Sequence, residues 1–231
     1  MKNKAEEKTK RSRMILDTLK GNIASLQNLL QDVSDSKTEQ NIYRAIILFA
    51  CSGIDAVVKQ LIIDTLEPVI ERDEGAQEQL KNYAKRAIKK EQEMDCELLA
   101  ELFIARNSRK ALIERLKSEL AEASLQSKEQ LFKVGSYFNI RSNSLVKKEE
   151  EEYLRMVFDT RNKIVHQMDV NFESNDIEYF LHSEKEINGI AELIENVANR
   201  FIDEIEGMLC RDITEDFKPP VYIDGNTLVI N

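Results

Sequence analysis

The sequence predicts an all-α chain, an up-down helical bundle with a helical insertion and a short C-terminal extended or hairpin tail. Three observations predict it. Seven Gly and three Pro among 231 residues leave few positions for turns and breaks. Apolar residues recur three and four apart over long segments, the spacing of a helix with one buried face. Strand character is read only at the end of the chain, where Asp224-Gly225 sits between β-branched runs.

The elements follow in order. A first helix is expected over about Lys8–Gln31, with Met14 or Ile15, Leu19, Ile23, Leu26 and Leu30 on one face; Ser34-Asp35-Ser36 stops it. Ser36-Lys37-Thr38-Glu39 reads as a capping box, opening a second helix that runs to Leu66, just before Glu67-Pro68. Residues 68 to about 120 stay helical in composition but strongly charged, with Ala100, Leu102, Phe103 and Ile104 as the densest apolar cluster. Residues 126–146 read as irregular, either a plain connector or a cover over a site. Another helix begins near Lys147 or Lys148, with Leu154, Val157, Phe158, Val165 and Met168 as its apolar stripe. A short connection over 171–181 carries a helical turn at 176–181. His182 precedes a second capping box, Ser183 to Glu186, which gives it a linker or cap role. The last helix carries Ile187, Ile190, Leu193 or Ile194, Val197, Phe201, Ile205, Met208 and Leu209. The expected organisation is one domain over 1–218, with 68–146 inserted between its helical halves, and a tail over 219–231.

Composition narrows the function. A formal charge of −9 argues against a general nucleic-acid coat, since phosphate rewards clustered Lys and Arg. No Trp and 6% aromatic residues give no sign of base-stacking platforms. Local basic runs exist at Lys2 to Arg13, Lys81 to Lys90 and Arg106 to Lys117; each is a candidate patch for a nuclease, and the preferred reading of each is a solvated helix face. Cys51, Cys96 and Cys210 are odd in number and widely spaced, suggesting neither disulfides nor zinc, and a reducing compartment. The charged N-terminus, and the interruption of 43–66 by Arg44, Asp55, Lys59 and Asp64, predict no signal peptide or membrane span, hence a cytoplasmic protein. There is no HExxH, P-loop, GxSxG or GxGxxG, and Glu149 to Glu152 point around a helix rather than into one site. No cofactor and no metal are expected.

Chemistry concentrates in Asp159-Thr160-Arg161-Asn162-Lys163-Ile164-Val165-His166-Gln167. Arg161 falls on the apolar stripe, where a guanidinium is expensive unless a charge, an interface or a ligand satisfies it. Asn162 and His166 are four apart, neighbours on an adjacent face, with Asp159 one turn before. An Arg near a helix end also bonds terminal carbonyls, and a terminal His also complements the helix dipole, so spacing alone accommodates both readings. Upstream, the mostly apolar segment Asn41–Leu61 contains Cys51-Ser52-Gly53, which permits close helix packing, and Ser52 and Asp55 on one face. Asp55 is the expected partner of Arg161, in a catalytic or a purely structural ion pair.

Arg161-Asn162, three residues and then His166, at the end of a long helix in an all-helical chain, resembles the RNxxxH signature of the HEPN (higher eukaryotes and prokaryotes nucleotide-binding) ribonucleases. The resemblance covers about residues 38–66 and 145–209. It implies a HEPN-like bundle and an endoribonuclease of toxin or antiviral-defence type, with Arg161, Asn162 and His166 catalytic and Ser52, Asp55 and Asp159 supporting. It further implies an RNA substrate, a homodimer whose two motifs line one cleft, 2′,3′-cyclic phosphate and 5′-hydroxyl products, and an antitoxin or defence partner protein. The rival implication is a silent HEPN-like module that binds a partner such as a nucleotidyltransferase. The chain departs from the family at Gln167, where many relatives carry Gly, a residue that ends a helix more readily.

Overall fold

A computed structural model describes residues 2–90, 93–94, 96–172 and 178–211. Helices α1 (Lys2–Leu30) and α2 (Ser36–Ile70) form a hairpin. The cap of α2 is Asp35, one residue ahead of the expected Ser36: its extended backbone lets Oδ2 accept the Thr38 amide at 2.8 Å. The inner face of α1 runs through Ala5, Thr9, Ser12, Leu16, Leu19 and Ile23, while Met14 is 60% exposed. Of the alternatives Met14 or Ile15, it is Ile15 that packs against the core. Gly53 allows the close approach: a Cβ there would meet Leu19 Cδ2 at 2.3 Å.

Helix α2 passes through the expected stop at Glu67-Pro68 and ends at Ile70. Leu66, Val69 and Ile70 are fully buried, and that burial outweighs the hydrogen bond that Pro68 cannot make in the last turn. Long and apolar enough by length and composition to cross a bilayer, α2 is instead the central helix of the core. Helix α1 covers one side of it and α9 (Glu184–Leu209) another, and α1 also touches α9. Ser183 caps α9 by accepting the Glu186 amide, as the second capping box predicts, and its apolar positions from Ile187 to Leu209 are buried.

Between the two halves lie α3 (Glu74–Ile88), the short antiparallel pair β1 (Lys89–Lys90) and β2 (Glu93–Met94), α4 (Cys96–Ile104), α5 (Ser108–Glu122), α6 (Lys128–Tyr137) and α7 (Ser142–Leu145). Phe103 and Ile104, in the densest apolar cluster of this region, are more than four-fifths exposed, and α5 packs on α2 with Ile113, Leu116 and Leu120 buried. One expectation is corrected here. The stretch 126–146 is helical rather than irregular: Ser127 Oγ caps α6, and Leu131, Val134, Gly135 and Tyr137 are buried. Ser136, Ser142, Asn143 and Ser144 lie within α6 and α7, while Asn139, at φ 59°, turns the chain between them.

Helix α8 (Glu151–Gln167) starts later than expected because Lys147–Glu150 closes a turn, the Lys147 amide donating to Glu150 Oε2. Arg200 of α9 holds that Glu150 carboxylate through two bonds, Nη1–Oε2 at 2.5 Å and Nη2–Oε1 at 2.9 Å. Leu154, Val157, Phe158 and Ile164 are buried, whereas Val165 and Met168 are 42% and 72% exposed. The stripe therefore closes on Ile164, three residues after Arg161, rather than on Val165 and Met168. Beyond α8, β3 (Val170–Asn171) pairs antiparallel with β4 (Glu178–Tyr179), Val170 opposite Tyr179, in place of the expected helical turn. The predicted hairpin at Asp224-Gly225 lies outside the described residues, as does the rest of the tail.

Candidate active site

The last two turns of α8 carry the motif, and burial of Val157, Phe158 and Ile164 turns Arg161 inward with them. Arg161 is half-buried. Its Nη1 donates to Asn162 Oδ1 at 3.1 Å, while its Nε is buried with no acceptor among the described residues. A guanidinium on a packed stripe with no carboxylate partner among the described residues is costly and unusual. Its charge reaches Cys51 on the facing helix α2, where burial pushes the thiol up to about 12 against the opposing pull of Arg161. Asn162 and His166 are exposed, and His166 stands in the last helical turn with no ion pair among the described residues.

The expected partnership of Asp55 with Arg161 is corrected. Asp55 Oδ1 accepts the Leu125 amide at 2.9 Å and Oδ2 pairs with Lys59 Nζ at 2.9 Å. The carboxylate is thus turned to the α5–α6 connection, where a buried amide needs an acceptor. Ser52 is exposed and lines a cavity of about 560 Å³ between α1 and α2, with Met14, Phe49 and Gly53, so it shares no bond with the motif. Asp159 pairs with Arg155 Nη1 at 2.8 Å, one turn back on its own helix. The structure therefore brings Arg161, Asn162 and His166 together on one helix end, and leaves Ser52, Asp55 and Asp159 bonded or directed elsewhere.

The RiboL-PSP-HEPN family model matches residues 16–207, most of the chain, with all of α2 and α8 and α9 up to residue 207. The chain belongs to the RiboL-PSP-HEPN family. Neither the curated proteins nor the solved structures contain a match to it.

Sequence reasoning about this HEPN domain missed a second polar cluster, just past the motif. Asp169 is fully buried, and its Oδ2 lies 2.8 Å from Arg44 Nε of α2 and 2.9 Å from His182 Nε2 ahead of α9. Arg44 also donates to Asn41 Oδ1 and to the Phe180 carbonyl, and stacks 5.6 Å from the Tyr179 ring centre. Gln40 clamps His182 by both backbone groups, accepting its N–H and donating to its carbonyl, each at 2.8 Å. Arg44 and Asp169 lie 125 residues apart in the chain. No local pattern joins them; the only signal was Arg44 itself, a charge within an apolar segment.

Proposed function

We propose that this HEPN protein is a metal-independent endoribonuclease, of toxin or antiviral-defence type, working through Arg161, Asn162 and His166 in a site shared by two subunits. Support comes first from Arg161. A positive group held half-buried beside Asn162, with its Nε unmatched and no carboxylate pairing with it among the described residues, is poised for an anion such as a phosphodiester. A phosphodiester has two oxygens that a guanidinium can brace together. His166 stands exposed little more than one turn further on and can transfer protons near neutral pH.

The reaction these groups serve is transfer within the RNA backbone. The ribose 2′-oxygen attacks phosphorus as its proton leaves to a base, the bond from phosphorus to the 5′-oxygen breaks, and that oxygen takes a proton from an acid. The products are a 2′,3′-cyclic phosphate and a 5′-hydroxyl. Base and acid are two jobs, and one chain offers one exposed His. Two copies related by a two-fold axis supply both, with both Arg161 side chains spreading the phosphorane charge.

A second reading is a silent HEPN module that docks on a partner protein. Met168, Phe172 and Leu181 are each more than 70% exposed beside the motif helix, and large exposed apolar side chains mark contact surfaces. One experiment separates the two: pure protein incubated with total RNA in excess EDTA, next to His166→Ala. Cleavage by the wild type alone carries the ribonuclease reading. RNA left intact by both, with or without added magnesium, overturns it in favour of the docking module.

A further inference from the structure

The exit from α8 is backbone that side chains rarely adopt: Met168 and Asp169 follow one another at φ 53° and 62°. Two left-handed residues in succession, neither of them Gly, persist only where the surroundings over-determine them. The surroundings here converge on Asp169. Its amide and that of Met168 both donate to the Lys163 carbonyl, closing the helix, and its own carbonyl accepts the Phe180 amide at 3.0 Å. Its carboxylate, 1% exposed, is held by Arg44 from α2 and His182 from the start of α9. Two other segments, α2 and residues 180–182, are thereby tied to the residue three positions beyond His166. Arg44 is consumed in this, with Nε, Nη1 and Nη2 all bonded, unlike Arg161.

We propose that Asp169 is a positioning residue: its buried bonds to Arg44 and His182 hold the left-handed exit from α8, and with it the direction in which the last helical turn presents His166. Where a Gly after the motif would take that conformation without steric penalty, this chain has Gln167, then Met168 and Asp169, and the buried bonds supply the constraint instead. Asp169 touches no reacting atom. It acts through the helix end.

The kinetic arm of the test rests on the ribonuclease reading; the spectroscopic arm does not. The chain has two histidines, so protein labelled with ¹⁵N in its histidine rings gives two ring systems, identified with His166→Ala and His182→Gln. Asp169→Asn keeps the shape and removes the charge. The expected result is that the His166 resonances shift or broaden although His166 touches none of these groups, and that kcat falls about 10- to 100-fold with KM nearly unchanged, as misplacement of a reacting group produces. Adding Met168→Gly, which suits a left-handed residue and removes a side chain already exposed, should return both readings toward the wild type.

Glu150→Gln is the control. It weakens the Arg200 pair at the other end of the same helix and should leave the His166 resonances where they are. If Asp169→Asn does not fold, His182→Gln makes the same test more gently, keeping the Arg44–Asp169 pair and leaving one ring in the spectrum. Unchanged His166 resonances in whichever variant folds, or an equal disturbance from Glu150→Gln, would overturn the proposal. A wild type that cuts no RNA ends the ribonuclease reading, and the ring spectra alone then decide this one.

Discussion

Arg161 donates from Nη1 to Asn162 Oδ1 at 3.1 Å, the residue next to it in sequence, and its buried Nε meets no acceptor among the described residues. Compare Arg200, the other arginine packed against α8, which spends both terminal nitrogens on Glu150. One arginine has its charge taken by a carboxylate. The other has no such pair among the described residues.

The first prediction follows from that contrast. Arg161→Met should abolish RNA cleavage and yet raise stability, by on the order of 1 kcal/mol, because it replaces an unsatisfied buried donor on an apolar stripe with an unbranched apolar chain. Chemical denaturation with RNA cleavage measured in parallel checks it. A loss of stability would mean that Arg161 serves packing, and would favour the docking module.

A two-fold dimer is expected in solution, with Arg161 and His166 of both copies in one groove. Light scattering at micromolar concentration reads the mass. Mixing wild-type with His166→Ala subunits then tests sharing: a hybrid lacks one of the two histidines, so activity should fall more steeply than in proportion to the wild-type fraction. A monomer with full activity would end the shared-site mechanism.

For Asp55 the prediction is structural. Asp55→Ala deprives the Leu125 amide of its acceptor at a fully buried residue and should cost about 1–3 kcal/mol, while cleavage per folded molecule stays at the wild-type rate. Denaturant midpoints and initial rates are the measurements. A selective loss of rate at unchanged stability would restore Asp55 to the site.

Acid sensitivity should trace partly to the start of α8. The Glu150 carboxyl is held below the ordinary value of 4.5, chiefly by its hydrogen bond from Arg200. A group whose pKa is lower in the folded state adds stability above its unfolded value, and loses it as pH falls through the folded one. Stability should therefore drop on acidification below about pH 4.5 more steeply in the wild type than in Glu150→Gln. Denaturation curves across that window give the comparison, and parallel curves would show that the pair contributes nothing there.

What the sequence determined by itself is whatever depends on near neighbours. Helical spacing, few Gly and Pro, and the Ser183 cap place the long helices, and the Arg161-Asn162…His166 spacing places the motif at a helix end, because contacts three and four residues apart are set by helix geometry. Only the tertiary structure decided the partners. Asp55 and Arg161 were paired by opposite charge; packing gave Asp55 to the Leu125 amide and to Lys59, because a buried N–H needing an acceptor makes a claim that no charge pattern records. Asp169, which no sequence pattern singled out, meets Arg44 across 125 residues of chain and also holds His182, read as a linker or cap, for the same reason: burial creates the demand for a partner, and burial is a property of the assembled helices rather than of any window of sequence.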